Sequence, residues 1–282
     1  MTINAIIFAL LSLVCAACND LVFKGFAKKK KNLGSYFVII GIIWFAFFFI
    51  QSQNFFSSIN SKLLILGLVS GTFGIVANIL LLEGMKRCDV GISSTVYRLN
   101  LAPAAIIAVF ILNESLSVIK VVGVLLAVVS VCMMKPSGQK QSSFSTMGLV
   151  ILIIACLFRA GMGICFKISS NCGYDSNHLL ALNGLMWIVG GVVYYYKDRA
   201  LQMISKEHLQ YGGLSGMLVC GIVLFLTKSL ENGPASIIIP ISQMSFILTA
   251  VLGFFIFREE VTLRKGSALL LGVLAVVTLS VG

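Results

Sequence analysis

The sequence predicts an all-α membrane protein of ten transmembrane helices built from two inverted five-helix repeats. Three observations predict it. Of 282 residues, 59% are apolar and only 11% are charged, with a mean hydropathy of +1.02, whereas soluble domains are about 45–50% apolar and about 25% charged. Apolar runs of membrane-crossing length recur along the whole chain. The second half also repeats the first at an offset of 143–145 residues. Ten spans of about 20 residues leave room only for connections, which excludes a tethered enzyme, a receptor with a catalytic tail and a DNA-binding module. The net charge of +11 is then a matter of membrane topology and not of nucleic-acid binding.

The spans are bounded by charged residues or by Gly, Pro, Asn and Ser clusters. The first, 3–23, ends at Lys24; no Lys or Arg precedes it, so it lacks the basic start of a cleaved signal peptide and is read as a retained helix. The second, 34–51, lies between a lysine run and the polar Gln51-Ser52-Gln53-Asn54. The third is 62–83, and the fourth, 91–112, carries Pro103. The fifth, 118–134, is near the short limit for crossing about 30 Å of hydrocarbon. The sixth to tenth are 146–167, 177–196, 209–229, 235–257 and 263–281. Residues 1–138 and 139–282 form the two repeats of one transport domain. The eight cysteines sit mostly inside spans, where a thiol packs as a small apolar group. Cys15 and Cys18 have redox-motif spacing but no neighbouring His or second pair, so no metal and no cofactor is expected.

Lys and Arg are distributed unevenly over the nine connections. Fifteen lie in the odd ones: Lys24, Lys28 to Lys31, Lys86, Arg87, Lys135, Lys140, Lys197, Arg199, Lys206, Arg258, Arg264 and Lys265. Four lie in the even ones: Lys62, Lys120, Lys167 and Lys228. Positive residues stay cytoplasmic, so this count places both termini outside.

The repeat sets Phe23-Lys24 on Phe166-Lys167, Ser70-Gly71 on Ser215-Gly216, Glu114 on Glu259, Ser117 on Thr262 and Lys120 on Lys265. Five helices is an odd number, so the two copies insert with opposite orientation. Inverted repeats of this kind are typical of secondary transporters, with the substrate near the midplane between them.

Asn113-Glu114-Ser115-Leu116-Ser117, followed by Gly123, resembles the junction before the fifth helix in the EamA branch of the drug/metabolite transporter superfamily. Arg258-Glu259-Glu260-Val261-Thr262 is similar to the junction before the tenth. Asn19, Lys24, Pro103 and Pro240 also fall where that family has such residues. The resemblance implies ten helices, with the fifth and tenth peripheral and the others around a central cavity. It also implies cytoplasmic termini, against the charge count. Position 159 is Arg where the family commonly has an aromatic residue, which implies an unusually basic cavity.

A charged residue at the centre of a span costs about 2.5–3.5 kcal/mol on insertion scales and is a functional candidate by default. Arg159 lies deep in the sixth span and Arg98 in the fourth. Either one binds an anionic group through its planar fork or it pairs structurally with an acid, Asp20 and Glu83 being nearest by span position. Tyr97, Asn100, Gln243, Asn19, Asn78 and Asn183 complete the candidate substrate-binding set; interhelical hydrogen bonding is the alternative role for the amides. Gly67, Gly71 and Gly74, with Gly212, Gly216 and Gly221, suit close helix packing.

No catalytic residue is expected. His178 and His208 sit at span edges, and no HExxH, GxSxG or P-loop motif occurs. The middle of the first span, Leu11 to Cys15, is without an acid, which argues against proton antiport of cationic drugs. The expected function is efflux or exchange of a small polar metabolite, such as an amino acid or organic anion, by alternating access. The alternative is a non-transporting structural or regulatory multi-pass protein. The expected setting is the cell membrane, with the lipid bilayer and a small-molecule substrate as partners, no nucleic acid, and a monomer as the working unit.

Overall fold

The computed structural model describes residues 3–29, 31–112, 117–133, 145–197, 204–232, 238, 241–259 and 262–281. Asn113 to Leu116, Pro240, Glu260 and Val261 of the junction motifs, and the basic residues Lys30, Lys135, Lys140 and Arg199, lie outside them.

The helices are α1 Ile3–Ala27, α2 Leu33–Gln51, α3 Phe55–Ser58, α4 Ser61–Met85, α5 Val90–Arg98, α6 Leu101–Leu112, α7 Val118–Met133, α8 Thr146–Asn171, α9 Ser176–Lys197, α10 Lys206–Asn232, α11 Ser245–Phe257 and α12 Leu263–Val281. No strand occurs among the described residues. Six helices, α1, α2, α4, α8, α9 and most of α10, are long and apolar enough to cross a membrane, and shorter apolar helices run over Val118–Met133 and Ile241–Phe257. Their outer faces carry exposed apolar side chains such as Leu10, Val14, Ile65, Val150 and Leu270. In water that surface would be a severe liability; in a bilayer it is solvated by acyl chains.

Side-chain caps set the helix starts. Asn32 accepts from the Ser35 N–H at 3.1 Å and Asn60 from the Leu63 N–H at 2.8 Å, each satisfying a donor that the first turn leaves open. The repeat-equivalent Ser117 and Thr262 do the same, accepting from Lys120 and Lys265 N–H at 3.2 Å each. Helix α8 ends at Gly173 (φ +72°), with Gly173 N–H donating to Ser170 O and Tyr174 N–H to Ser169 O. These are the two bonds of a Schellman cap, whose left-handed residue glycine adopts most readily.

The fourth predicted span is two helices, not one. At Leu99 the backbone leaves helical geometry (φ −74°, ψ 10°) because Pro103 has no N–H for the Leu99 carbonyl and its ring crowds that group. Ala102 N–H takes the carbonyl instead, at 3.0 Å. The ninth span breaks at the equivalent place, Met244 (φ −71°, ψ 4°), and Ile247 N–H donates to Met244 O at 3.0 Å. Both halves therefore carry one interrupted helix at the same register.

The packing between halves comes in mates. Helix α1 packs on α10 as α8 packs on α4, α9 on α4 as α2 on α10, and α1 on α11 as α8 on α5 and α6. Two contacts, α2 with α9 and α7 with α12, are their own mates. The pairs run antiparallel: Gly84 lies against Leu152 while Gly74 lies against Met162. Glycines set the separations. A Cβ on Gly41 would come within 2.7 Å of Ile188 N, and one on Gly184 within 2.7 Å of Phe45 N, so α2 and α9 cross backbone to backbone. Gly71 and its equivalent Gly216 would meet Met186 and Ile43, giving these two glycines the packing role their spacing suggests.

Candidate functional site

Within the interior, α1, α5, α8 and α11 bring charged and polar side chains together. Asp20, near the end of α1, is buried. Its Oδ2 accepts from Ser94 Oγ of α5 and from Thr249 Oγ1 of α11 at 3.2 Å, and lies 3.7 Å from Arg98 Nη2. The two hydroxyls come from different halves of the chain. Arg98 is the last residue of α5, directly before the break at Leu99. Its Nε has no hydrogen-bond partner among the described residues.

Arg159 of α8 sits 5.8 Å from the centre of the Tyr97 ring, within range for attraction to the ring face. Its Nη1 donates to Met162 Sδ at 3.1 Å, a weak acceptor. No carboxylate lies at ion-pair distance from it among the described residues. Of the two intramembrane arginines, Arg98 thus has a counter-charge and Arg159 does not. Tyr97, buried between them, has no partner for its hydroxyl among the described residues, and neither has Asn19 Oδ1 beside Asp20.

The other predicted residues are placed differently. Asn183 Oδ1 accepts from Ser70 Oγ at 2.7 Å across α4 and α9. Asn78 donates to Gly74 O of its own helix at 2.8 Å. Asn100 is buried at the break between α5 and α6, where its carbonyl starts the second helix by accepting from Ala104 N–H. Gln243 is half-buried in the turn before the break at Met244. The structure therefore gathers Tyr97, Arg98 and Arg159 with Asp20, while Asn183 and Asn78 make protein hydrogen bonds.

Sequence reasoning took Asp20 only as a possible ion partner and overlooked Ser94, Thr249, Met162 and the tryptophans. Trp44 and Trp187, the two in the chain, stand 143 positions apart and stack at 5.5 Å and 28° where α2 crosses α9. Their identical offset to the repeat was the available signal.

A second cluster closes the end of the bundle that holds the odd connections. Lys24 donates to Met85 O at 2.5 Å and to Cys88 O, Lys265 pairs with Asp89, and Glu259 accepts from Val90 N–H at 2.6 Å and Gly91 N–H at 3.3 Å. All three grip the turn between α4 and α5. Burial pushes the Glu259 carboxyl above its ordinary pKa, and the two amide bonds pull the other way. Lys24, Glu259 and Lys265 are residues that the repeat and the junction motif single out, so the motif marks this clamp.

Comparisons with known proteins agree with this architecture. A solved structure described only as "Crystal structure of protein" superposes with a TM-score of 0.60 at 10% identity, over 99% of this chain and 96% of that one, which speaks to fold alone. "Glucose uptake protein GlcU" of Bacillus subtilis (strain 168) is 20% identical over 256 residues, covering 86% of this chain and 84% of that protein. The model of the EamA-like transporter family matches twice, at residues 3–135 and again at 146–281, one match to each half. With both halves matched by the family model, the chain belongs to the EamA-like transporter family.

Proposed function

We propose that the protein is a secondary transporter that carries a small polar metabolite with an anionic group, such as an amino acid or organic anion, through a central cavity by alternating access. Ten spans in two inverted five-helix repeats, residues 1–138 and 139–282, form the moving parts, and one chain in the cell membrane is the working unit. One observation carries the substrate class. Arg159 is a half-buried cation without a carboxylate partner among the described residues, held only by a thioether and a tyrosine ring. Such a charge is costly in a membrane unless a ligand or water compensates it, and a guanidinium offers carboxylate a matched pair of donors. Tyr97, whose ring Arg159 faces, with Arg98, Asn19, Asn100, Gln243, Asn78 and Asn183, are the further binding groups of this reading.

Thermal stabilisation of the purified protein by carboxylate metabolites tests this reading. Arg159→Gln should weaken binding by about 1.5–3 kcal/mol, the scale of a hydrogen bond to a charged group, with expression unchanged. Arg159→Lys keeps the charge, loses the fork and should fall between. A full carboxylate response in well-folded Arg159→Gln rejects the assignment.

A neutral sugar is the second reading. It is favoured by the name of the Bacillus subtilis relative, a glucose uptake protein, and by the buried Tyr97 hydroxyl and Asn19 oxygen that have no partner among the described residues, which suit sugar hydroxyls. Stabilisation by glucose that survives Arg159→Gln selects it. Absence of solute flux in proteoliposomes for every stabilising compound would instead favour a non-transporting role.

A further inference from the structure

We infer that the indole N–H of Trp187 is a second ligand donor, and that with Arg159 it forms a carboxylate subsite which Met162 plugs in the unliganded protein; this rests on the anionic-substrate reading above. Trp187 on α9 is only 2% exposed, and its Nε1 has no hydrogen-bond partner among the described residues. A buried indole N–H ordinarily finds an acceptor, and leaving it without one costs free energy on the scale of a lost hydrogen bond. Its repeat equivalent behaves in the ordinary way: Trp44 Nε1 donates to Leu180 O at 2.7 Å. The two indoles stack at the crossing of α2 and α9, yet one donor is consumed by the fold and the other is not.

That donor nitrogen lies beside a particular place. The point where a Cβ on Gly74 would sit is 3.3 Å from Trp187 Nε1 and 3.1 Å from Met162 Sδ. That same sulfur receives the Arg159 Nη1 hydrogen at 3.1 Å. Indole nitrogen and thioether sulfur thus both border the position that residue 74 leaves without a side chain, and the guanidinium donates to that same sulfur. A thioether is a poor acceptor for the guanidinium, and methionine is unbranched with three rotatable bonds, so it can swing aside. A carboxylate in its place would accept one bond from Trp187 and one or two from Arg159, serving a donor without a partner among the described residues and one that otherwise has a thioether. The geometry also accounts for an arginine, and not a lysine, at position 159: a flat acceptor group is met by a flat donor fork on one side and a single directed N–H on the other.

The test uses the full-length protein in detergent, with succinate, L-glutamate, L-alanine and acetate as carboxylate probes, glucose as the neutral probe and sodium chloride as the control. Ligand-dependent thermal stabilisation is read for the unmodified protein, Trp187→Phe, Met162→Ala, Gly74→Ala and Arg159→Gln. Trp187→Phe keeps an aromatic ring against Trp44 and removes the N–H; it should weaken the best carboxylate about tenfold or more, the loss of one charge-assisted hydrogen bond. Met162→Ala, which removes the plug, should bind that carboxylate more tightly, and Gly74→Ala, which fills the space, should lose it. Those two variants decide the matter if Trp187→Phe does not fold. Unchanged carboxylate affinity in Trp187→Phe, or in both Met162→Ala and Gly74→Ala, overturns the inference; if Arg159→Gln still loses binding, the anionic-substrate reading survives it. A response to glucose alone, or to none of the four carboxylates, overturns both.

Discussion

Glu259 caps a helix of the other half of the chain: its two carboxylate oxygens accept the N–H groups of Val90 and Gly91, the first residues of α5, the shorter bond being 2.6 Å. A carboxylate here meets both the open donors and the positive end of the helix dipole. Arg258, in the left-handed region at φ 55°, turns the chain back from α11 toward α5; a non-glycine residue holds that conformation at a cost of about 1–2 kcal/mol. The motif Glu therefore ties the start of one interrupted helix to the end of its mate.

Removing this cap should destabilise the protein. Glu259→Ala is expected to cost about 0.5–2 kcal/mol, the range for lost N-caps, read as a lowered Tm in detergent. No change in Tm would mean that water replaces the carboxylate at no cost.

The pH dependence of the same group has a definite sign. Because burial raises the Glu259 pKa in the folded protein, the folded state holds this proton to higher pH than the unfolded state does. Stability from this group is thus greatest below the ordinary glutamate pKa of about 4.3 and declines as pH rises through the folded value. The Tm advantage of the unmodified protein over Glu259→Gln should narrow as pH rises above the ordinary glutamate pKa of about 4.3. An advantage that widens with pH would show the amide bonds to outweigh burial.

Asp20 and Arg98 should be strongly coupled. Asp20→Asn leaves a buried guanidinium without its counter-charge, an arrangement that costs about 3–5 kcal/mol when a buried pair is broken from one side. Adding Arg98→Met should recover much of the loss. A double variant as unstable as the sum of the single ones would show that the 3.7 Å approach carries little interaction.

The charge count fixes an expected orientation. A reporter fused after Gly282 should read as extracytoplasmic, and an impermeant thiol reagent should miss Cys placed at Lys29, an exposed residue beside Glu207. A cytoplasmic reporter would overturn the count in favour of the family's usual arrangement.

Alternating access should be visible at the two helix breaks. Cys pairs placed across the fourth and ninth spans near Pro103 and Gln243, with Pro103 itself kept, should crosslink to different extents with and without a saturating substrate. An identical pattern in both conditions would count against movement of the interrupted helices.

Hydropathy, turn residues and the internal offset were enough to locate a helix in each of the ten predicted segments and to pair the halves, because each is written locally in the chain. The cap residues Ser117 and Thr262 are legible for the same reason, each acting three residues away. The break at Leu99 lay within reach too, since Pro103 dictates it one turn earlier, although the span was read as continuous. What only the tertiary structure decided is which polar groups find each other. Asp20 meets Thr249 across 229 positions, and Trp44 spends its N–H on Leu180 while Trp187 does not. Those outcomes depend on how closely antiparallel helices approach at glycines such as Gly41, Gly184 and Gly74. No local pattern encodes them, because two repeats of similar sequence fold against each other into a site whose two sides are not the same.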